Sequence, residues 1–294
     1  MSTSQFLTAL AQISGVLFVV ASMLAMGLSL TMAMILKPLR NVRLVVLALV
    51  ANFALVPLLA YGIVSVIPIE ESLKDGLIIL SCAAGAPFLP KLVQGAKGDI
   101  ALGVGMMVLL MVVTIVYLPL VLPWLLSGVS VSAWDIAKSL VVLMLIPLAV
   151  GLLVRWHSPD TAAKYQPLMN KVSTVSLLVL LVVGLGLNVS NIVDLIGTGG
   201  IGALLLFIIG SLVIGLLLGG RDPEIRSVMS LGTAQRNLSA AIVVAAQNFA
   251  GGMTLPFVLV GAIVLLLILL PTARRMGSHR LPTTAETSAG VQAS

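Results

Sequence analysis

The chain has 294 residues, 60% hydrophobic and only 9% charged, with a formal net charge of +6 and a mean hydropathy of +1.20. No water-soluble domain needs so much apolar surface, so the solvent is lipid; at about 20 apolar residues per crossing of a ~30 Å hydrocarbon layer, there is room for nine or ten helices and no separate soluble domain. The positive charge then reports which loops face the cytoplasm rather than a nucleic-acid partner, and a single cysteine, Cys82, leaves no intramolecular disulfide or thiolate cluster.

The apolar stretches predict an all-α polytopic membrane protein with helices near residues 7–36, 42–67, 76–96, 100–126, 135–156, 168–191, 199–219, 226–248 and 252–271. The first is too long for a signal-peptide core and reads as a retained span. Basic residues alternate between successive connections. Twelve of the sixteen Lys and Arg fall on one side, two (Lys74 and Lys138) on the other, and two (Lys91 and Arg236) inside helices. The positive-inside bias places the N-terminus outside and the C-terminus in the cytoplasm. Compact loops and the lack of an evident leader fit a bacterial inner membrane. Gly215 and Gly219 form a small-xxx-small pair suited to close helix packing, and Pro57, Pro119, Pro123, Pro147 and Pro256 read as helix kinks. Residues 272–294 are expected to form a disordered cytoplasmic tail, most plainly over 277–294, which are rich in Ser, Thr, Ala and Gly.

Two stretches break the pattern of an ordinary span. In the third, Gly85-Ala86-Pro87-Phe88-Leu89-Pro90-Lys91 sets two prolines beside a lysine, and each proline removes a backbone donor, so the helix is expected to be interrupted. In the eighth, Gly232-Thr233-Ala234-Gln235-Arg236-Asn237 is a polar run around a permanent cation. A charge at mid-depth costs about 2.5–3.5 kcal/mol even on lenient scales, so both cations are expected to face a cavity or a partner; Lys91 could also snorkel toward the cytoplasmic edge. The two stretches lie five spans apart. An odd offset reverses the direction of entry, which is the pattern of an inverted repeat, with spans 2–4 mirroring spans 7–9 and a binding region where the broken helices meet.

The residues resemble the bile acid:sodium symporter family. Met26-Gly27-Leu28-Ser29-Leu30, Ala51-Asn52-Phe53-Ala54-Leu55-Val56-Pro57, Gly95-Ala96-Lys97-Gly98-Asp99-Ile100-Ala101-Leu102 and the run from Gly232 to Asn237 are similar to family segments in the same order. The resemblance implies a panel of helix 1 (1–36) with spans 5 and 6 (135–191), and a core of two repeats (42–126 and 199–271) holding two crossing discontinuous helices. It also implies carriage of small organic anions. The sodium ligands of the family are not matched. Leu89 and Pro90 stand at its Ser-Asn pair, no hydroxyl occurs between Gly103 and Val113, Gly232 stands at its Glu and Arg236 at its Gln; Asn237 keeps its type, and Asn52 is a shorter substitute for a Gln.

A hard cation needs several oxygen ligands, so sodium is doubtful as a cofactor. Lys91 and Arg236 are expected to replace it permanently, giving a sodium-independent carrier of a small organic anion by alternating access, with Asn52, Pro87, Thr233, Gln235 and Asn237 as solute-binding candidates. Lys91 with a desolvated amine would allow proton coupling instead. The alternatives are a sodium-coupled symporter of the same fold and a channel-like uniport path. An arsenite-type exporter would want a cysteine at the break, and Cys82 falls several residues short of it. An enzyme is disfavoured because His157 and His279 lie in cytoplasmic segments and no acid lies well inside a span.

Overall fold

The computed structural model describes residues 3–36, 40–126, 132–187, 197–249 and 252–278. Twelve helices are used below: α1 Thr3–Ser29, α2 Met32–Leu36, α3 Val42–Val66, α4 Glu71–Cys82, α5 Leu89–Gly95, α6 Ile100–Leu125, α7 Ala133–His157, α8 Pro159–Gly186, α9 Gly200–Leu218, α10 Pro223–Ala234, α11 Leu238–Asn248 and α12 Thr254–Ser278. Seven of them, α1, α3, α6, α7, α8, α9 and α12, are long and apolar enough to cross a membrane. The chain is an all-α polytopic membrane protein. The third and eighth apolar stretches are the exceptions: each is split, into α4 and α5 and into α10 and α11.

Polar residues just ahead of the helices start them. Asn41, Asp99, Ser132, Asp222 and Asn237 each accept a backbone N–H of the first turn, which satisfies donors that have no carbonyl one turn back. Once started, an apolar helix decides its orientation by side-chain size. On α9, Leu206, Ile209, Val213 and Leu217 are exposed, a stripe for lipid. Its opposite face carries Ala203, Phe207, Ser211 and Gly215 inward. There a Cβ on Gly215 would stand 2.4 Å from the Met229 carbonyl oxygen, and one on Gly219 2.6 Å from Arg226 Cα. The small pair seen in the sequence is where α9 meets α10. Trp134 and Trp156, both exposed, sit near the two ends of α7, about 33 Å apart at ~1.5 Å rise per residue, a spacing matched to two membrane–water interfaces.

Proline shapes α3 and α7 alike. Each contains a π-helical turn, 51–55 and 141–145, followed by a proline at the second position of the next α-helical stretch, Pro57 and Pro147. Pro57 has no N–H for the Phe53 carbonyl, and the Tyr117 hydroxyl of α6 donates to that oxygen at 2.7 Å. Tyr117→Phe should therefore orphan the carbonyl and cost about 1–3 kcal/mol, read as a lower thermal midpoint of the purified protein.

Three boundaries differ from expectation. The first helix ends at Ser29 rather than near 36, and Thr31 Oγ1 accepts the Met34 N–H to start α2 afresh. α8 begins at Pro159, well before 168, because its first turns are polar while counting apolar residues finds only the lipid-covered part. α12 runs to Ser278, so 272–278 are helical and not a disordered tail; a Cβ on Gly277 would meet the Gly95 carbonyl at 2.5 Å, so this end is held against α5. Residues 279–294 lie outside the described residues.

Helix packing falls into two groups. α1 lies along α8 and α7, while α9 packs on α10 and α3, and α12 on α4, α5 and α11. The groups touch where α1 meets α11, where α8 meets α12 and where α7 meets α6 and α11.

Candidate functional site

Both interrupted helices break where their neighbours can use the freed backbone. α4 ends at Cys82, and Ala83 to Ala86 run without helix before a turn leads into α5. Gly85 has φ +77, and a Cβ there would lie 2.1 Å from the Met111 nitrogen. The gap thus presses against α6. Thr114 of α6 secures it by both roles of one hydroxyl, accepting the Ala84 N–H and donating to the Ala84 carbonyl, each at 3.0 Å. α10 ends at Ala234, and Gln235, Arg236 and Asn237 bridge to α11. The two gaps are joined directly: the Asn237 N–H donates to the Ala83 carbonyl at 2.8 Å, and Asn237 Nδ2 donates to the Gly85 carbonyl at 3.1 Å.

Arg236 fills this crossing and is the largest fully buried side chain among the described residues. Nη1 donates to the Ser81 carbonyl at 3.2 Å, and Nη2 donates to Asn52 Oδ1 at 2.6 Å and to the Thr233 carbonyl. The Asn52 amide is set by its own donation to the Ala48 carbonyl at 3.0 Å, one turn before the π-helical turn. Ser81 and Thr233 sit at the C-terminal ends of α4 and α10, where helix dipoles present partial negative charge. Two such ends and an amide oxygen compensate the guanidinium without any carboxylate. Chemically this is an oxygen-lined cation position, already occupied by a side chain. Thr233 Oγ1, Gln235 Oε1 and Arg236 Nε are buried with no partner among the described residues.

The other expected site residues divide. Asn52, Thr233, Gln235 and Asn237 are all buried at the crossing. Pro87 is half-buried in the turn before α5. Lys91 is the correction: it is exposed, on α5, with its ammonium 5.7 Å from the centre of the Phe88 ring, and it does not take part in the crossing. Packing of α5 against α6, α10 and α12 turns Leu89, not Lys91, inward, and Leu89 is fully buried. Sequence reasoning missed Thr114, one position beyond the stretch searched for hydroxyls.

A cavity of about 640 Å³ lies between α1 and α8 on one side and α11 and α12 on the other. Its walls are mostly apolar, and the polar side chains lining it among the described residues are Thr8, Gln12 and Gln247. None of the residues expected to bind solute lines it. Gln12 and Gln247 were legible only as isolated amides in apolar helices. Volume and composition are those of a small-molecule chamber.

A bundle of apolar helices with two interrupted helices crossing inside it is how membrane transporters assemble a binding region from backbone. The profile of the sodium bile acid symporter family matches residues 16–195, more than half of the chain, and the chain belongs to that family. It is similar to two chloroplastic proteins, each named as a probable sodium/metabolite cotransporter. The rice (Oryza sativa subsp. japonica) protein is 33% identical over 139 residues, 47% of this chain and 33% of the relative. The Arabidopsis thaliana protein is 24% identical over 213 residues, 70% of this chain and 49% of the relative. The chain thus spans half or less of the length of these relatives. It is a transporter-family membrane protein rather than an enzyme. The match ends before α10, so the segment holding Arg236 lies outside it.

Proposed function

We propose that this chain carries a small organic solute across the membrane by alternating access and needs no sodium, because the Arg236 guanidinium already occupies the cation position at the helix crossing. The observation that carries this reading is its set of bonds to the Ser81 and Thr233 carbonyls and to Asn52 Oδ1. Half-helix C-terminal ends are where carriers of this construction hold a coupling ion. A tethered cation there is never released, so it cannot link transport to an ion gradient.

In this reading α1, α7 and α8 form the panel, and α3–α6 and α9–α12 form two core repeats of opposite direction, each a helix, a broken helix and a helix. The cavity lies on the seam between panel and core, toward the end of the bundle shared by the start of α1 and the start of α12. With the N-terminus outside, as the charge bias favours, that is an outward-facing chamber. Deeper along α1, Ser22 Oγ lies 3.3 Å from Ser239 Oγ of α11, a contact that alternating access has to break. The expectation of an anionic solute rested on the family resemblance and on two intramembrane cations. With Lys91 outside the crossing and Arg236 engaged by carbonyls, charge pairing there no longer supports it.

Reconstituted in proteoliposomes, the protein should take up labelled organic acids or their neutral amides at the same initial rate when choline replaces sodium. Saturation and counterflow would separate a carrier from a channel. A strict sodium requirement would overturn the reading in favour of sodium-coupled symport, the coupling carried in the relatives' names.

A further inference from the structure

Lys91 lies inside an apolar stretch, takes no part in the crossing and is exposed. A charge in such a stretch is tolerated where it meets a counter-charge or reaches the membrane surface. The fold instead brings a second cation to it. α5 packs so closely on the end of α12 that a Cβ on Gly277 would stand 2.5 Å from the Gly95 carbonyl oxygen, and one on Gly95 3.8 Å from Ala273 Cβ. Leu92, Ala96, Ala273 and Gly277 are buried along this seam. Lys91, one turn before Gly95, and Arg274, next to Ala273, are exposed beside it.

Neither α5 nor α12 contains an Asp or Glu. Of the acids on neighbouring elements, Asp99 is engaged as the cap of α6, accepting the Leu102 N–H at 2.9 Å. Glu224, whose backbone carbonyl approaches Gly98, shares the start of α10 with Arg226 and follows Arg221. Apolar surface continues from the cation pair into the membrane. Leu267, 68% exposed, lies two turns before Arg274 on the same face of α12, and Leu270 and Phe88 are half-buried.

We propose that the seam between α5 and α12 holds an anionic phospholipid, its phosphate accepting from the Lys91 ammonium and the Arg274 guanidinium and its acyl chains lying along Leu267 and Leu270. A guanidinium fork matches phosphate oxygens two at a time, and an ammonium adds a point charge from the other helix. Basic seams between membrane helices are suited to anionic head groups. The exposed leucines select a lipid over a free phosphate, because only a lipid covers apolar surface while its head meets the cations. Bound there, it supplies the counter-charge that Lys91 lacks and ties half of an interrupted helix to the end of α12.

Palmitoyl-oleoyl phosphatidylglycerol and the phosphatidylcholine with the same chains differ in net charge and not in tails. Titration of each into the delipidated full chain in neutral detergent, read by native mass spectrometry and by thermal midpoint, tests the proposal. Phosphatidylglycerol should be retained about tenfold or more in preference, at about fivefold for each nearby cation, and should raise the midpoint. Lys91→Gln and Arg274→Gln should each reduce the preference severalfold and leave the lipid-free midpoint unchanged, while Lys91→Arg keeps it. Lys164→Gln, which removes an exposed cation of α8, should leave the preference intact. Equal retention of the two lipids, a preference that survives both site substitutions, or an equal loss in Lys164→Gln would overturn the proposal. So would an equal rise in midpoint with millimolar glycerol 3-phosphate, which would make this a site for soluble phosphates.

Discussion

Arg236→Leu should cost the folded protein about 3 kcal/mol or more, and Arg236→Gln should make what stability remains respond to sodium. In the leucine variant, the Ser81 and Thr233 carbonyls and Asn52 Oδ1 all lose their donor. A buried acceptor left unpaired costs about 1–3 kcal/mol, and three share this one donor group. Glutamine is long enough to return one or two of the bonds, so its loss should be smaller, and it vacates the positive charge between two helix C-terminal ends. Those oxygens then offer part of a cation site. A ligand that binds only the folded state raises apparent stability by mass action. Titration of sodium against choline should therefore raise the thermal midpoint of Arg236→Gln and leave that of the parent protein unchanged. A sodium-induced rise in the parent protein would show that a cation binds beside the guanidinium, and the substitution argument would fail.

Gly85→Ala should be more damaging still, leaving little or no monodisperse protein on size-exclusion chromatography. Two costs combine at this position. Its φ of +77 lies in the region that L side chains rarely adopt, worth about 1 kcal/mol by itself. A methyl group would also overlap the backbone of α6, 2.1 Å from Met111 N and 2.6 Å from Met111 Cα. Backbone in the middle of a buried helix cannot step aside as a side chain can. Any relief has to move α6 away from the gap, and with it Thr114, which holds Ala84 by both of its bonds. Gly220 supplies the control: its φ is +73, but nothing lies within 4 Å of a Cβ there. Gly220→Ala should cost only the conformational part, so a similar loss in both variants would show that overlap with α6 is not the cause.

The spans were legible because lipid imposes a one-dimensional rule. Every backbone group in the hydrocarbon must be satisfied within its own helix, so runs of about 20 apolar residues mark helices whatever their neighbours do. The same rule made the two breaks visible, since the prolines near Lys91 and the polar run around Arg236 violate it locally. Gly215 and Gly219 were readable for a related reason: small residues four apart let two backbones approach. The polar start of α8 and the helical end of α12 were not, because a helix that continues beyond the lipid carries no apolar signature.

The amino-acid sequence by itself determined the class of protein, the positions of its helices, the interruption of two of them, and that Arg236 had to be sheltered from lipid. Hydrophobicity and proline act along the chain, where no partner is needed to know their effect. Only the tertiary structure decided that Arg236 lies among the carbonyl ends of α4 and α10 while Lys91, also a cation inside an apolar stretch, lies on an exposed face. It alone separated the crossing, where the expected polar residues gather, from the chamber lined by Gln12 and Gln247. Which side of a short half-helix turns inward, and which distant helices face each other across a gap, depends on packing between segments far apart in the chain, and no local pattern encodes it.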